Sequence, residues 1–282
     1  MKLLARTEAA TCPCGSTRYR EILRSDRFCI YGDAVEQLDY TLIRCSACGL
    51  VRTWPAPEDH EHGPFRDEVF LEPYLERLEL FEQLLRPTVA EVARLHQPPG
   101  RLVDVGANIG LIVRMAGELG YTATGIELNE AAVEHGLAAG LDLRSTVLDQ
   151  VGFEPESLDV IILSATAEHI HDLAGTFGLC RELLAPGGLL YVSNSPNIRS
   201  FGYLAERAMW YGIQPAGHVW QFTPATLRAR VEAAGFRVVG ARTHNLHRDF
   251  GRNRRQRLRR LAFDLAARVG LGDAVGVAAV RP

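Results

Sequence analysis

The sequence predicts an α/β chain built on a mostly parallel, doubly wound sheet, preceded by a small cysteine-rich module. Three observations carry this expectation. From residue 101 onward, short apolar runs alternate with segments of helical periodicity, the pattern of a sheet covered by helices on both faces. A glycine loop, Gly106-Ala107-Asn108-Ile109-Gly110, separates the first of these runs from the first of these helices. Five of the six cysteines fall within the first 48 residues, and Cys180 stands alone in a later helical segment.

The elements follow in order. The cysteine-rich segment contains strand-like runs such as 40–44, and Trp54-Pro55-Ala56-Pro57 with the charged stretch 58–62 reads as a linker. Over 66–95, Leu71, Leu75, Leu78, Phe81, Leu84 and Leu85 recur every three or four residues, which is one apolar helix face; Pro87 interrupts it. Residues 102–105 form a strand, and 109–119 a helix stopped at Gly120. Residues 122–126 form the next strand, and Asn129 caps a helix running to 139. Strands are expected at 143–148 and 158–163, then a helix over 174–184 that stops at Pro186-Gly187-Gly188 before a fifth strand at 189–192. Thr223-Pro224 opens a helix reaching 234, with proline at its first position after a threonine cap. Strands at 236–241 and 274–280 complete the pattern.

Composition narrows the function. The chain has 282 residues, 47% of them hydrophobic, enough for a full core. Its net charge of −3 gives no global basic field, so nucleic acid is not the expected partner. No apolar run approaches the roughly 20 residues that cross a bilayer, so no transmembrane segment is expected. The first ten residues lack the apolar stretch of a leader, and a cytoplasmic location is expected.

The glycine loop and an acidic residue define a candidate nucleoside site. Gly106 permits a tight turn, and Gly110 permits close approach to a ligand. Glu127 ends the second strand, where a carboxylate can accept hydrogen bonds from both hydroxyls of a ribose. A dinucleotide requires G-x-G-x-x-G, with a bare helix N-terminus for the pyrophosphate. Here Asn108 and Leu111 occupy the second and third glycine positions. S-adenosylmethionine carries a sulfonium and an ammonium instead of phosphate, and Asp104 adds a negative charge suited to it.

The run from 101 to 282 resembles the class I S-adenosylmethionine-dependent methyltransferases of the type 11/12/23 group. The resemblance rests on ordered motifs: Asp104, Gly106 and Gly110 in the first, Glu127 at the second strand, Glu168-His169 after the fourth, Leu183-Leu184-Ala185-Pro186-Gly187-Gly188 before the fifth, then Ser195-Pro196-Asn197 and Phe222-Thr223-Pro224. It implies a Rossmann-like, seven-stranded sheet whose last strand is antiparallel. It also implies that the cofactor meets Asp104, Gly106, Ala107, Asn108, Gly110, Glu127, Leu128, Asp149, Gln150 and Ser164. Tyr74, from the helical lead-in, corresponds to a tyrosine that often closes over it in this family.

Cys12-Pro13-Cys14-Gly15 and Cys45-Ser46-Ala47-Cys48-Gly49 read as two knuckles of a zinc ribbon, the first pair one residue shorter than usual. Cys29 is an alternative ligand. The module resembles the N-terminal ribbon of some methyltransferases of this group, sugar C-methyltransferases included, and a structural zinc is expected. The division is then 1–60 for this module, 61–100 for a helical linker or lid, and 101–282 for the methyltransferase domain.

Methyl transfer requires alignment of the acceptor and often its deprotonation. His169, with His171 close behind, and His218 are the candidate proton acceptors; Trp210 and Tyr211 are candidate pocket walls. The arginine-rich stretch 248–260 reads as a helix whose apolar side is Leu258, Leu261 and Leu265. The expected function is methyl transfer to a small-molecule acceptor, a sugar or a secondary metabolite. The competing readings are an NAD-dependent oxidoreductase and a non-catalytic interaction module on the same fold.

Overall fold

The computed structural model describes residues 11–30, 34–57, 71–246 and 254–282. The linker residues 58–62, the expected helix start at 66–70 and arginines 248–253 lie outside this set.

Two sheets organise the chain. The larger has seven strands: β4 (Arg101–Val105), β5 (Thr122–Glu127), β6 (Leu143–Ser145), β7 (Leu158–Ser164), β8 (Leu184–Pro196), β10 (Arg237–His244) and β11 (Ala274–Val280), in the order β10-β11-β8-β7-β4-β5-β6. β11 runs antiparallel to both neighbours, while β8, β7, β4, β5 and β6 pair in parallel. This is the Rossmann-like arrangement with an antiparallel last strand.

Helices cover both faces. On one, α2 (Leu78–Leu95) and α3 (Leu111–Glu118) place Val89, Val92, Ile112 and Met115 against Leu102, Val160, Ile162 and Tyr191. On the other, α5 (Leu173–Leu183) and α7 (Pro224–Ala233) place Phe177, Cys180, Leu227 and Val231 against Val103, Ile161, Leu163 and Val192. Cys180 is thus a buried core residue. Helix α4 (Glu130–Ala138) begins as expected, with Asn129 Oδ1 accepting from Ala132 N at 3.0 Å.

The smaller sheet is β1 (Tyr19–Ile30), β2 (Ala34–Cys45), β3 (Val51–Trp54) and β9 (Trp220–Gln221). Its last strand comes from far along the chain: Val51 pairs with Gln221 and Arg52 with Trp220. Cys12, Tyr19, Ile43 and Leu50 share one apolar cluster with Val103, Ile161 and Trp220, so the cysteine module and the large sheet have a common core.

Several expectations change in detail. Pro87 lies inside α2 rather than ending it. It is exposed, and so is Gln83, whose carbonyl loses its partner but faces water; packing on both flanking turns keeps the helix continuous. The third parallel strand stops at Ser145 instead of 148. The strand expected at 189–192 spans Leu184–Pro196, with Pro186-Gly187-Gly188 forming a bulge between Leu184, paired with Leu158, and Leu189, paired with Val160. In α8 (Arg254–Arg268), Phe263 is buried while Leu261 and Leu265 of the expected apolar side are exposed; the side chain of Leu258 lies outside the described set. No helix among the described residues is long and apolar enough to cross a membrane.

Candidate active site

The loop after β4 forms the first part. Gly106 and Asn108 both take left-handed backbone angles, φ 77° and 49°. A Cβ at position 106 would stand 2.6 Å from Thr166 Oγ1, so conformation and space both require glycine. Gly110, at φ 86°, caps α3, and a Cβ there would meet Leu141 Cδ1 at 2.8 Å. Its missing side chain therefore makes room for core packing.

Glu127 is fixed by backbone donors. Its Oε2 accepts from Asn108 N at 2.9 Å, and its Oε1 accepts from Leu128 N at 2.7 Å and Asn129 N at 2.9 Å. Asn108 Oδ1 in turn accepts from Ile109 N at 2.8 Å. The loop thus has a carboxylate and engaged N–H groups where a pyrophosphate would need free donors.

Asp104 is fully buried, and its Oδ1 has no hydrogen-bond partner. Burial, and then the charge of Glu127, pushes its carboxyl up to about 8. Parallel pairing places Asp104 opposite Gly125 of β5 and Ile162 of β7, beneath the loop. Asp104, Gly106, Ala107, Asn108, Glu127 and Leu128 therefore come together. Asp149 and Gln150 lie exposed in the turn after β6. Tyr74, in α1 (Leu71–Leu75), stacks on Phe81 with centroids 4.1 Å apart and packs into the apolar layer of α2 and α3.

The second part follows β7. His169 and His218 meet edge-to-face, centroids 4.7 Å apart, although 48 residues separate Gly217 from His169. His169 Nδ1 donates to Gly217 O at 3.1 Å, and His218 Nδ1 donates to Gly212 O at 3.1 Å. Carbonyls only accept, so in its neutral form each ring carries its proton on Nδ1. Glu168 is buried and accepts from Ser195 Oγ at 2.7 Å. Burial pushes its carboxyl up to about 7, against the lowering effect of the Ser195 bond. One ligand atom from each of Glu168, His169 and His218 lies within 4.8 Å of the others. His171 Nε2 contacts Pro57 O at 3.0 Å, at the base of the cysteine module.

A buried polar chain adjoins this group. Asn194 Nδ2 donates to Ser164 Oγ at 2.8 Å, which leaves Asn194 Oδ1 to accept from His244 Nε2 at 2.7 Å. Burial first, and Arg242 second, hold His244 down to about 4. Asn194, Ser195 and His244 were not expected at the site. The signal in the sequence was the polar triplet Ser193-Asn194-Ser195 closing an apolar strand. Trp210, expected as a pocket wall, is instead wholly buried, with Nε1 donating to Asp273 Oδ1 at 3.2 Å. Its indole fills the core beside Tyr203.

Four sulfurs gather at the end of the β1–β2 pair where Tyr19 stands opposite Cys45. Cys12 Sγ lies 3.6 Å from Cys48 Sγ, and Cys14 Sγ lies 3.6 Å from Cys45 Sγ; all four fall within 4.8 Å of one another. Cys29 is outside the group. Gly15 and Gly49 follow each pair in left-handed conformations, with Gly15 N donating to Cys12 O and Gly49 N to Cys45 O. Burial opposes ionisation of Cys45, but backbone N–H groups of Cys48 and Ala47 and the neighbouring thiols bring it down to about 6.

Known proteins share this architecture. A ubiquinone biosynthesis O-methyltransferase from Marinobacter nauticus is 30% identical over 152 residues, covering 49% of this chain and 64% of the relative. The chain thus spans less than two thirds of that relative's length. A crystal structure of an S-adenosylmethionine-dependent methyltransferase from Archaeoglobus fulgidus superposes with a TM-score of 0.58 at 19% identity, over 76% of this chain and 100% of the other. The 1,6-didemethyltoxoflavin-N1-methyltransferase of Burkholderia thailandensis superposes with a TM-score of 0.57 at 16% identity, over 91% of this chain and 99% of the other. A family model described as a methyltransferase domain matches residues 74–241, more than half of the chain, and the chain belongs to that methyltransferase family.

Proposed function

We propose that the chain transfers a methyl group from S-adenosylmethionine to a small-molecule acceptor, a sugar or a secondary metabolite. The observation that carries this is the buried Asp104, with one oxygen unmatched, beside a Glu127 fixed by three backbone donors. A buried carboxyl lacking a partner is costly alone and is satisfied by a cationic ligand. The two carboxylates, with the loop N–H groups already engaged, therefore fit S-adenosylmethionine and argue against a dinucleotide. In this reading Asp104 faces the cationic part of the cofactor, Glu127 takes the ribose hydroxyls, and Gly106 to Gly110, Leu128, Asp149, Gln150, Ser164 and Tyr74 complete the binding surface.

When bound, the cofactor supplies an electrophilic methyl group. His169 and His218 take the acceptor's proton in this reading, and their carbonyl partners at Nδ1 fix the orientation of each ring. Glu168 positions the loop before β9 through its backbone oxygen, which accepts from Val219 N and Trp220 N. The four cysteines fit a structural zinc. A tetrahedron with metal–sulfur bonds of about 2.3 Å has edges of about 3.8 Å, near the two 3.6 Å separations.

Calorimetry with S-adenosylmethionine and NAD in parallel tests the cofactor, and S-adenosylhomocysteine release over a panel of acceptors tests the activity. The relatives' O-methyltransferase names make hydroxyl acceptors the first class to assay. Binding of NAD alone would overturn the reading. Binding of S-adenosylmethionine with no product from any acceptor would favour the interaction module.

A further inference from the structure

A second site lies away from the loop and shares no residue with it. Between β1, β2 and the segment around α6 (Phe201–Glu206) is a cleft of about 510 Å³ whose lining includes Arg20, Arg44, Arg199, Arg207, Glu21 and Tyr203. Four guanidiniums thus meet one carboxylate, and that carboxylate bonds outward to Arg24 at 2.9 Å. None of the four arginines forms an ion pair among the described residues.

Local structure keeps this charge together at a cost. Arg20 and Arg44 stand directly opposite each other in the β1–β2 pairing, where like charges repel. Arg44 is half-buried, and its Nε is buried with no hydrogen-bond partner. Arg207 adopts φ 52° and ψ −121°, a strained backbone for a residue with a side chain, and its guanidinium lies over the Tyr203 ring at 5.2 Å.

We propose that this cleft binds the phosphate or pyrophosphate group of a phosphorylated compound. Guanidinium forks match phosphate oxygens in pairs, and a concave wall concentrates their field. Such a group reaches the cleft either on a free phosphorylated molecule or on a phospholipid headgroup. The inference does not depend on methyl transfer, because it concerns binding by residues outside the cofactor loop.

The test is a calorimetric titration of the full chain with inorganic pyrophosphate. A parallel arm measures cosedimentation with phosphatidylcholine vesicles, with and without phosphatidylglycerol. Saturable pyrophosphate binding, weakened at least about tenfold in Arg44→Gln and in Arg199→Gln, is expected. Vesicle binding that needs phosphatidylglycerol and is lost in both variants would assign the phosphate to a lipid headgroup. The unliganded Arg44→Gln protein should melt no lower than the parent, because the substitution removes a like-charge pair. Added pyrophosphate should raise the melting temperature of the parent and not of the variant. The proposal is overturned if neither probe binds, or if binding survives both substitutions.

Discussion

Asp104 and His244 respond to pH in opposite senses. The folded-state pKa of Asp104, about 8, lies above its ordinary 3.8, so the folded chain holds a proton that the unfolded chain has released. Its stabilising contribution is full below the unfolded value and is lost as pH rises toward 8. A cationic ligand reverses the preference by favouring the ionised carboxyl. The affinity for S-adenosylmethionine should therefore rise with pH by up to about tenfold per unit below 8 and then flatten. Calorimetry between pH 6 and 9 measures this, and Asp104→Asn should bind more weakly with no such slope. A parent slope identical to that of Asp104→Asn would remove Asp104 from the cofactor site. For His244 the folded value, about 4, lies below the ordinary 6.5. Its contribution is present above 6.5 and lost as pH falls to 4, a span worth on the order of 3 kcal/mol at most. His244→Gln should lose that part of the acid-side fall in melting temperature, and an unchanged acid limb would show that His244 is not held neutral.

Among the elements, the helix starts were the most legible. Asn129 and Thr223 were expected as caps, and both side chains accept the backbone hydrogen bonds expected of them; Thr223 and Thr226 cap one another reciprocally. Thr223→Ala should cost about 1 kcal/mol in a urea unfolding experiment. Capping is local chemistry, which is why it reads directly from sequence. Pro87 misled for the complementary reason: a local rule ends the helix, but tertiary packing of Phe81 and Leu85 before it and Val89 and Val92 after it continues α2. Pro87→Ala should restore the bond to Gln83 and stabilise the chain by about 1 kcal/mol or more. A loss of stability in the same urea experiment would mean that the proline is needed where it stands. The β8 bulge was missed because Pro186-Gly187-Gly188 looks like a turn, and only pairing to Leu158 and Val160 on β7 shows a strand continuing on both sides.

Across the molecule, the cysteine module and the large sheet share one core, which predicts that they unfold together. β9 completes the small sheet, Thr53 Oγ1 donates to His218 O at 2.6 Å, and one apolar cluster spans both parts. Loss of the sulfur cluster should therefore be felt throughout. Cys45→Ser, or a chelator that strips the proposed zinc, should lower the melting temperature of a single cooperative transition and reduce the proposed methyl transfer together. Two separate transitions, the later one unchanged, would show the parts to be independent. Alternating apolar runs, a glycine loop and paired cysteines are local patterns, and by themselves they determined the α/β fold and the loop with its acidic partner, and pointed to four cysteines that the fold brings within 4.8 Å of one another. The meeting of His169 with His218, the burial of Asp104, the polar chain from Ser164 to His244 and the arginine cleft were decided only by the tertiary structure. Each joins residues from distant segments or depends on what covers a side chain, and sheet register and loop return are set by packing rather than by neighbouring residues.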